Sequence, residues 1–337
     1  MIHPGMRSRQ PLRAPWSRER LEHERAIALR QAIDNSTWLN YNLALNSYLD
    51  FVKNHHFPVD PTPDTLSFYV VYMSSHIKPD SVDTYLSGIS QQLEPFFPLV
   101  CVHRKSALVR RTLDRCKRMQ AVPTQRKHAL SLDDLQKVIE HYHQSKNHDD
   151  LLFVALLLIG FFTLMRLGEL TNLDNLQRWN PSKVIKRTSV SISNDTFEFF
   201  LPSHKADRFF EGNPILLMKS ETRGGIATFQ HFASYLQSRD HLFPFSSPLW
   251  LRHNGTIPTR SFFMDRLHQF FSSNIGGQSM CAGGATTLAA NGTAPSLIQA
   301  IRRWSSDAFC IYIRKNPVLI QALLHACDTS SKSNYPT

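Results

Sequence analysis

The side chain in this sequence whose setting says most about chemistry is an arginine. Residues 151–165 read LLFVALLLIGFFTLM, Arg166 follows at once, and Glu169 stands three residues further on. A guanidinium at the end of so apolar a run must be paired or must line a site, because a lone buried charge costs several kcal/mol. Two roles are open: Arg166 and Glu169 pin a helix end as an i, i+3 pair, or Arg166 faces an anion. Lys205, in LPSHKADRFF, is a second cation just past a strand-like run. A hairpin lysine is usually a solvated tip, and Lys183 and Lys186 lie close by as alternatives. His141, His143 and His148 sit near Asp149 and Asp150 without a ligand spacing, so a solvated helix end is expected there, with no metal and no cofactor. Nucleotide-binding glycine loops, zinc-protease motifs and hydrolase elbows are missing from the sequence.

The richest stretch is GQSMCAGGATTLAANGTAPSLIQAIRRWSSDAFCIYIRKNPVLIQALL. Gly283-Gly284-Ala285-Thr286 opens a helix of small residues that allows close backbone approach, and Asn291-Gly292 stops it. A second short helix, Pro295–Arg303, runs into Trp304. Ser305 or Ser306 then caps a third that carries Phe309 and Tyr312.

These residues need elements to hold them. The apolar run is too short and too soon charged for a membrane span, so it is expected to be the central helix of a packed core. The chain has 337 residues, 42% of them hydrophobic, enough for two domains. Its formal charge of +11 is localised. Residues 1–30 hold seven arginines against three glutamates, and residues 101–128 hold nine Lys/Arg against one aspartate. Charge gathered in two segments points to a polyanion. Five cysteines without framework spacing imply free thiols in a reducing compartment. The N-terminal segment lacks the apolar run of a secretory signal, so the nucleus is expected, or the cytoplasm if the chain is prokaryotic.

Residues 1–30 are expected to be a flexible basic arm, followed by a helical domain over 31–120. In that domain Trp38, Tyr41, Leu45, Leu49 and Val52 make one helical face, Thr62-Pro63 caps a second helix, and Pro79 opens a third. A fourth, from Lys105 to Met119, carries Leu108 and Leu113 among basic residues. Residues 121–130 form a linker, 131–327 a second domain and 328–337 a tail. Ser131 begins a capping box. Ser189–Ser193 and Phe197–Leu201 alternate around Asn194-Asp195 as a hairpin, and Asn213–Met218 adds a strand. Further helices are expected at 228–238, 259–271, 284–290, 295–303 and 307–315. The fold class is mainly α (α+β), with a small antiparallel sheet.

The C-terminal block resembles the catalytic signature of the tyrosine recombinases (the phage-integrase family). It is most similar to the recombinase-like proteins of fungal genomes, including those of Crypton-type mobile elements. The resemblance covers roughly residues 35–327 and implies an all-helical core-binding domain followed by a recombinase catalytic domain. It implies that Arg166, in TLMRLGEL, contacts the scissile phosphate, that Lys205 protonates the leaving 5′ oxygen, that Trp304 hydrogen-bonds the phosphate and that Tyr312 is the nucleophile. No metal is required for that chemistry, since arginine and lysine neutralise the charge on phosphorus. Duplex DNA is the implied partner, with Arg104, Lys105, Arg110, Arg111, Arg115, Lys117, Arg118, Arg126 and Lys127 as backbone contacts. Self-association on DNA is left open, and no membrane is involved.

Two positions depart from the family pattern. Where it reads H-x-x-R, this chain has Gln278-Ser279-Met280-Cys281, and Arg302 stands where a glycine usually precedes the Arg-Trp pair. Glutamine is neither acid nor base, and cysteine is no substitute for a fixed cation. Losing one transition-state donor costs about 10²–10³ in rate. A DNA-binding recombinase-like protein with impaired cleavage is therefore expected. The alternatives are an active site-specific recombinase of a mobile element and a helix-turn-helix regulator, the latter requiring the strands at 189–218 to be absent.

Overall fold

Apolar periodicity organises the chain into two units, residues 1–123 and 124–337. The structure, a computed structural model, describes residues 14–31, 35–121, 127–175, 178–204, 207, 211–218, 222–223 and 225–303. The expected helix at 307–315 lies outside these residues.

The described part of the first unit is helical: α1 (Arg18–Gln31), α2 (Asn35–Asn54), α3 (Pro63–Ser74), α4 (Pro79–Leu93), α5 (Val100–Arg104) and α6 (Ala107–Met119). Helix α1 occupies much of the segment expected to be a flexible arm; its side chains from Arg18 to Ala28 are exposed. Thr62 caps α3 by accepting a hydrogen bond from the Thr65 amide at 3.2 Å, with Pro63 at the first helical position. The buried face of α2 is centred on Ala44, Tyr48, Phe51 and Val52, not on Trp38, which is exposed. Helix α4 approaches that face closely because residue 88 is glycine: a Cβ there would lie 2.9 Å from the Tyr41 Cα. The expected fourth helix is α6, which starts at Ala107 because the Ser106 hydroxyl caps it through the Val109 amide at 3.4 Å; the short α5 before it was not expected. Val109 and Leu113 turn into the core, whereas Leu108 is exposed.

In the second unit, Ser131 and Asp134 form the expected capping box of α7 (Leu132–Tyr142). Helix α8 (His148–Phe162) is buried on every face from Leu152 to Phe162. It stops sooner than expected. The Thr163 hydroxyl bonds the Ile159 carbonyl at 2.6 Å, and Leu164 turns to a left-handed φ of 56°. The backbone at Arg166 is extended, and Arg166 caps a one-turn helix, α9 (Leu167–Leu170), rather than ending the central one.

Strands β1 (Ser191–Ile192), β2 (Thr196–Leu201) and β3 (Asn213–Met218) form an antiparallel sheet in the order 1-2-3, with Phe197 opposite Leu217. Asn194-Asp195 occupies the hairpin turn, but β1 is shorter than expected because Arg187–Ser189 closes into a 3₁₀ turn. These strands remove the purely helical regulator from consideration. A two-stranded ribbon, β4 (Thr222–Arg223) and β5 (Ile226–Ala227), leads into α10 (Thr228–Leu242). Phe197 stacks on Phe232 of α10 at 4.6 Å, so sheet and helix share the core. Helices α11 (Arg260–Leu267), α12 (Ser279–Ala290) and α13 (Pro295–Arg302) follow, α12 starting five residues before Gly284. Among the described residues, no helix is long and apolar enough to cross a membrane.

The expectation of a solvated helix end at 141–150 holds for His141 and His143 only. His148 is buried between Ser238 and the Leu251 carbonyl, each at 2.9 Å, and Asp149 accepts from the His253 amide and ring at 2.7 and 2.8 Å. Burial raises the Asp149 carboxyl, but these bonds and the His253 and Arg252 charges outweigh it and hold it below the usual range.

Helices α8 and α12 meet through glycines. A Cβ on Gly284 would lie 2.0 Å from the Phe161 carbonyl oxygen, and one on Gly283 would lie 2.1 Å from the Leu130 oxygen. Because backbone must move to admit the methyl group, Gly284→Ala is expected to lower unfolding free energy by about 3 kcal/mol in a denaturant titration. An effect below about 0.5 kcal/mol, the range of ordinary surface changes, would show that this approach is not close.

Candidate phosphate-binding site

The break after α8 delivers two side chains to one place. Leu164 packs with Cys281, Ala285, Leu288, Ala289 and Ile298, filling the wedge between α12 and α13. Two residues on, Arg166 emerges with 28% of its side chain exposed. Its Nη1 donates to Glu169 Oε1 at 2.9 Å, and its backbone amide donates to Oε2 at 3.0 Å. The two roles left open by the sequence coexist: Arg166 is held by Glu169 and is still accessible.

Helix α13 supplies the other cations. Pro295 opens the helix, Ile298 anchors its buried side, and the helix ends as Arg303 turns to a left-handed φ of 56°. This turn directs two successive arginines inward. Arg303 Nη2 reaches Glu169 Oε2 at 3.3 Å, so one carboxylate, 6% exposed, holds two guanidiniums. Burial lowers Arg303 below the ordinary arginine range; the Glu169 charge opposes that shift, and Arg166 and Arg302 reinforce it. Arg302, 8% exposed, places Nη2 3.2 Å from Cys281 Sγ. Cys281 is 1% exposed and donates its thiol hydrogen to the Gln278 carbonyl at 3.3 Å. Burial raises the Cys281 thiol above the usual range, against the pull of the Arg302 and Arg166 charges.

Gln278 is exposed at the start of α12. Gly277 beside it lies so close to Leu167 that a Cβ would meet Leu167 Cδ2 at 2.6 Å and the Arg260 Nη1 at 3.3 Å. Sequence reasoning assigned no role to Arg260 or to Arg303. The available signal for Arg303 was a pair of arginines ending an amphipathic helix. Lys205, Trp304, Tyr312 and Arg126 lie outside the described residues.

Three guanidiniums, Arg166, Arg302 and Arg303, and one carboxylate, Glu169, therefore meet around Cys281 among the described residues. Planar guanidinium forks of this kind bind phosphate or carboxylate oxygens through paired hydrogen bonds.

The first unit carries a separate basic surface. On α6, Arg110, Arg111, Arg115 and Arg118 are exposed, as is Lys105 just before it. Arg104 and Lys117 differ from the expectation of open backbone contacts. Arg104 Nη2 bonds Ser87 at 2.7 Å and pairs with Asp83 at 3.3 Å; Lys117 pairs with Asp83 at 3.1 Å and Asp80 at 3.3 Å. Burial raises the Asp83 carboxyl, but the Lys117 and Arg104 hydrogen bonds and charges prevail and hold it low. In the second unit, Lys127 is exposed and donates to the Ser273 carbonyl.

By sequence, the chain matches no family model and no curated protein. Its structure is similar to several solved recombinases. The XerH site-specific recombinase bound to palindromic difH substrate aligns with a TM-score of 0.56 at 15% identity, over 86% of this chain and 78% of that one. A lambda integrase dimer bound to a COC′ core site gives 0.55 at 13%, over 87% and 93%. The Tn1549 transposon integrase in complex with circular intermediate DNA gives 0.51 at 14%, over 76% and 82%. The fold is that of the tyrosine recombinases. Within that fold, the arginine cluster is built from the break after α8, the start of α12 and the end of α13.

Glu169 is the one carboxylate in the cluster. Glu169→Gln leaves two guanidiniums facing each other without it, and stability is expected to fall by about 3–5 kcal/mol in chemical denaturation. A loss under about 1 kcal/mol, the scale of an exposed ion pair, would show that the pairing with Arg166 and Arg303 does not form.

Proposed function

We propose that the chain is a DNA-binding protein of recombinase type that grips duplex DNA and is impaired in cleaving it. The observation that carries this reading is the cluster of Arg166 and Arg303 on Glu169, beside a buried neutral thiol at Cys281. Arginines supply charge to hold a phosphodiester. A protonated thiol and the Gln278 amide supply neither a fixed cation nor a proton-transferring group where the resemblance places them.

The first unit, under this proposal, is the core-binding domain. Lys105, Arg110, Arg111, Arg115 and Arg118 contact the phosphate backbone, whereas Arg104 and Lys117 act first as structural partners of Asp83. Lys205, Trp304 and Tyr312 keep the roles the resemblance implies: leaving-group acid, phosphate donor and nucleophile. Nuclear localisation, descent from a Crypton-like mobile element and self-association on DNA belong to the same proposal. The residue pattern of the C-terminal block supports the Crypton-like descent, and the other two follow from that reading.

A binding and trapping experiment tests this reading. Duplex DNA selected from a random pool is expected to bind the full chain with a steep salt dependence. Replacing Arg110, Arg111, Arg115 and Arg118 with alanine should shallow the log–log slope by up to about 0.9 for each phosphate no longer neutralised. On a nicked form of the selected site, the wild type is expected to give no adduct beyond that of Tyr312→Phe. Gln278→His combined with Cys281→Arg is expected to raise adduct formation. Salt-independent binding would refute the DNA reading, and abundant Tyr312-dependent adduct from the wild type would establish an active recombinase instead.

A further inference from the structure

Two cations of the first unit are held by carboxylates of the same unit. Lys117 lies about two helical turns after the exposed Arg110 on α6. Its Nζ sits 3.1 Å from Asp83 Oδ2 and 3.3 Å from Asp80 Oδ1, both on α4. Arg104, the last residue of α5, turns Nη2 to Asp83 Oδ1 at 3.3 Å and to the Ser87 hydroxyl at 2.7 Å. Each oxygen of the Asp83 carboxylate therefore takes one cation.

Packing already holds these helices together. Val82 and Leu86 of α4 and Val109 and Leu113 of α6 are buried in one core cluster. The ion pairs lie at its edge, where Lys117, Arg104 and Asp83 keep 32%, 29% and 44% of their side chains exposed. Pairs so open to water add little to stability. Burial raises the Asp83 carboxyl and lowers the Lys117 ammonium, but in both the bonds and charges of the partners outweigh it, so the pair is ionised at neutral pH.

A carboxylate that bridges a guanidinium and an ammonium offers them the same kind of anionic oxygen that a backbone phosphate would. Lys105, Arg110, Arg111, Arg115 and Arg118, on α6 or just before it, are exposed. A duplex that meets this helix thus finds cations that are open beside two that are matched. We propose that Asp83, with Asp80, competes with DNA phosphate for Arg104 and Lys117, withholding both cations and so limiting affinity for duplex of arbitrary sequence. The inference rests on reading the chain as a DNA-binding protein. Binding without sequence preference draws its strength from neutralised phosphates, and every cation released would add to it whatever the sequence. Asp83 acts as a specificity-determining residue by removing strength that all sequences would share.

Equilibrium binding of the full-length chain to a duplex of arbitrary sequence over a range of salt tests it, with thermal unfolding as a check on folding. Asp83→Asn is expected to bind about tenfold more tightly at low salt and to steepen the log–log salt slope by up to about 0.9 for each cation released. Adding Arg104→Ala and Lys117→Ala to Asp83→Asn is expected to return the slope to the wild-type value. Asp114→Asn removes an exposed carboxylate from α6 that holds neither cation, and is expected to leave the slope unchanged. An unchanged or shallower slope in folded Asp83→Asn, with salt-dependent binding by the wild type, would overturn the competition and leave the DNA reading standing. Equal steepening by Asp114→Asn would also overturn it, because net charge would then be the cause. Salt-independent binding by the wild type would overturn both. If Asp83→Asn does not fold, Asp83→Ala is read in its place, and failure of both to fold would show the carboxylate to be structural and overturn the proposal.

Discussion

The carboxylate of Glu169 joins parts of the chain that no hydrophobic contact could align so narrowly. One oxygen takes the Arg166 guanidinium; the other takes the Arg166 backbone amide and the Arg303 guanidinium. The segment leaving the central helix is thereby tied to the end of α13, 134 residues away in sequence. A buried charge pair of this kind adds little net stability relative to an apolar replacement, yet breaking it is expensive. Its value is geometric, since the two arginines are held at one spot.

That spot depends on a costly backbone. Leu164 and Arg303 both adopt a left-handed φ without being glycine, which costs of order 1–3 kcal/mol each. Packing offsets the first: Leu164 is fully buried with Cys281 and Ile298, over the glycines that let α12 approach α8. The second is offset by the burial and pairing of Arg303 itself. The apolar core, the glycine contacts and the two unusual turns thus serve one arrangement of three arginines around a thiol.

Much of this was legible in the sequence wherever a local rule decides the outcome. Thr62-Pro63, Ser131 with Asp134 and Asn194-Asp195 each mark a boundary through their own side chains, and the structure has helices and a turn there. The all-apolar run predicted a buried central helix, and the i, i+3 spacing offered Glu169 as one of two open roles for Arg166. Its early end did not show, because the residue that breaks it is leucine rather than glycine or proline, held by packing from α12. Likewise, Arg104 and Lys117 counted as open cations until Asp83, 21 and 34 residues away, was brought beside them by the fold. The inward turn of Arg302 was equally hidden, since it depends on the space left by a short side chain on a different helix. Fold-level contacts, not local propensity, decided all three.

The central claim is that the arginine cluster is a phosphate grip, and the most direct measurement is a structure of the full chain bound to duplex DNA. Guanidinium nitrogens of Arg166 are expected within about 3 Å of oxygens on one phosphodiester, the distance of a charge-assisted hydrogen bond. Glu169 should still hold Arg166 and Arg303 in that complex. A DNA path that leaves the cluster facing solvent or protein, with no phosphate against Arg166, would contradict the account.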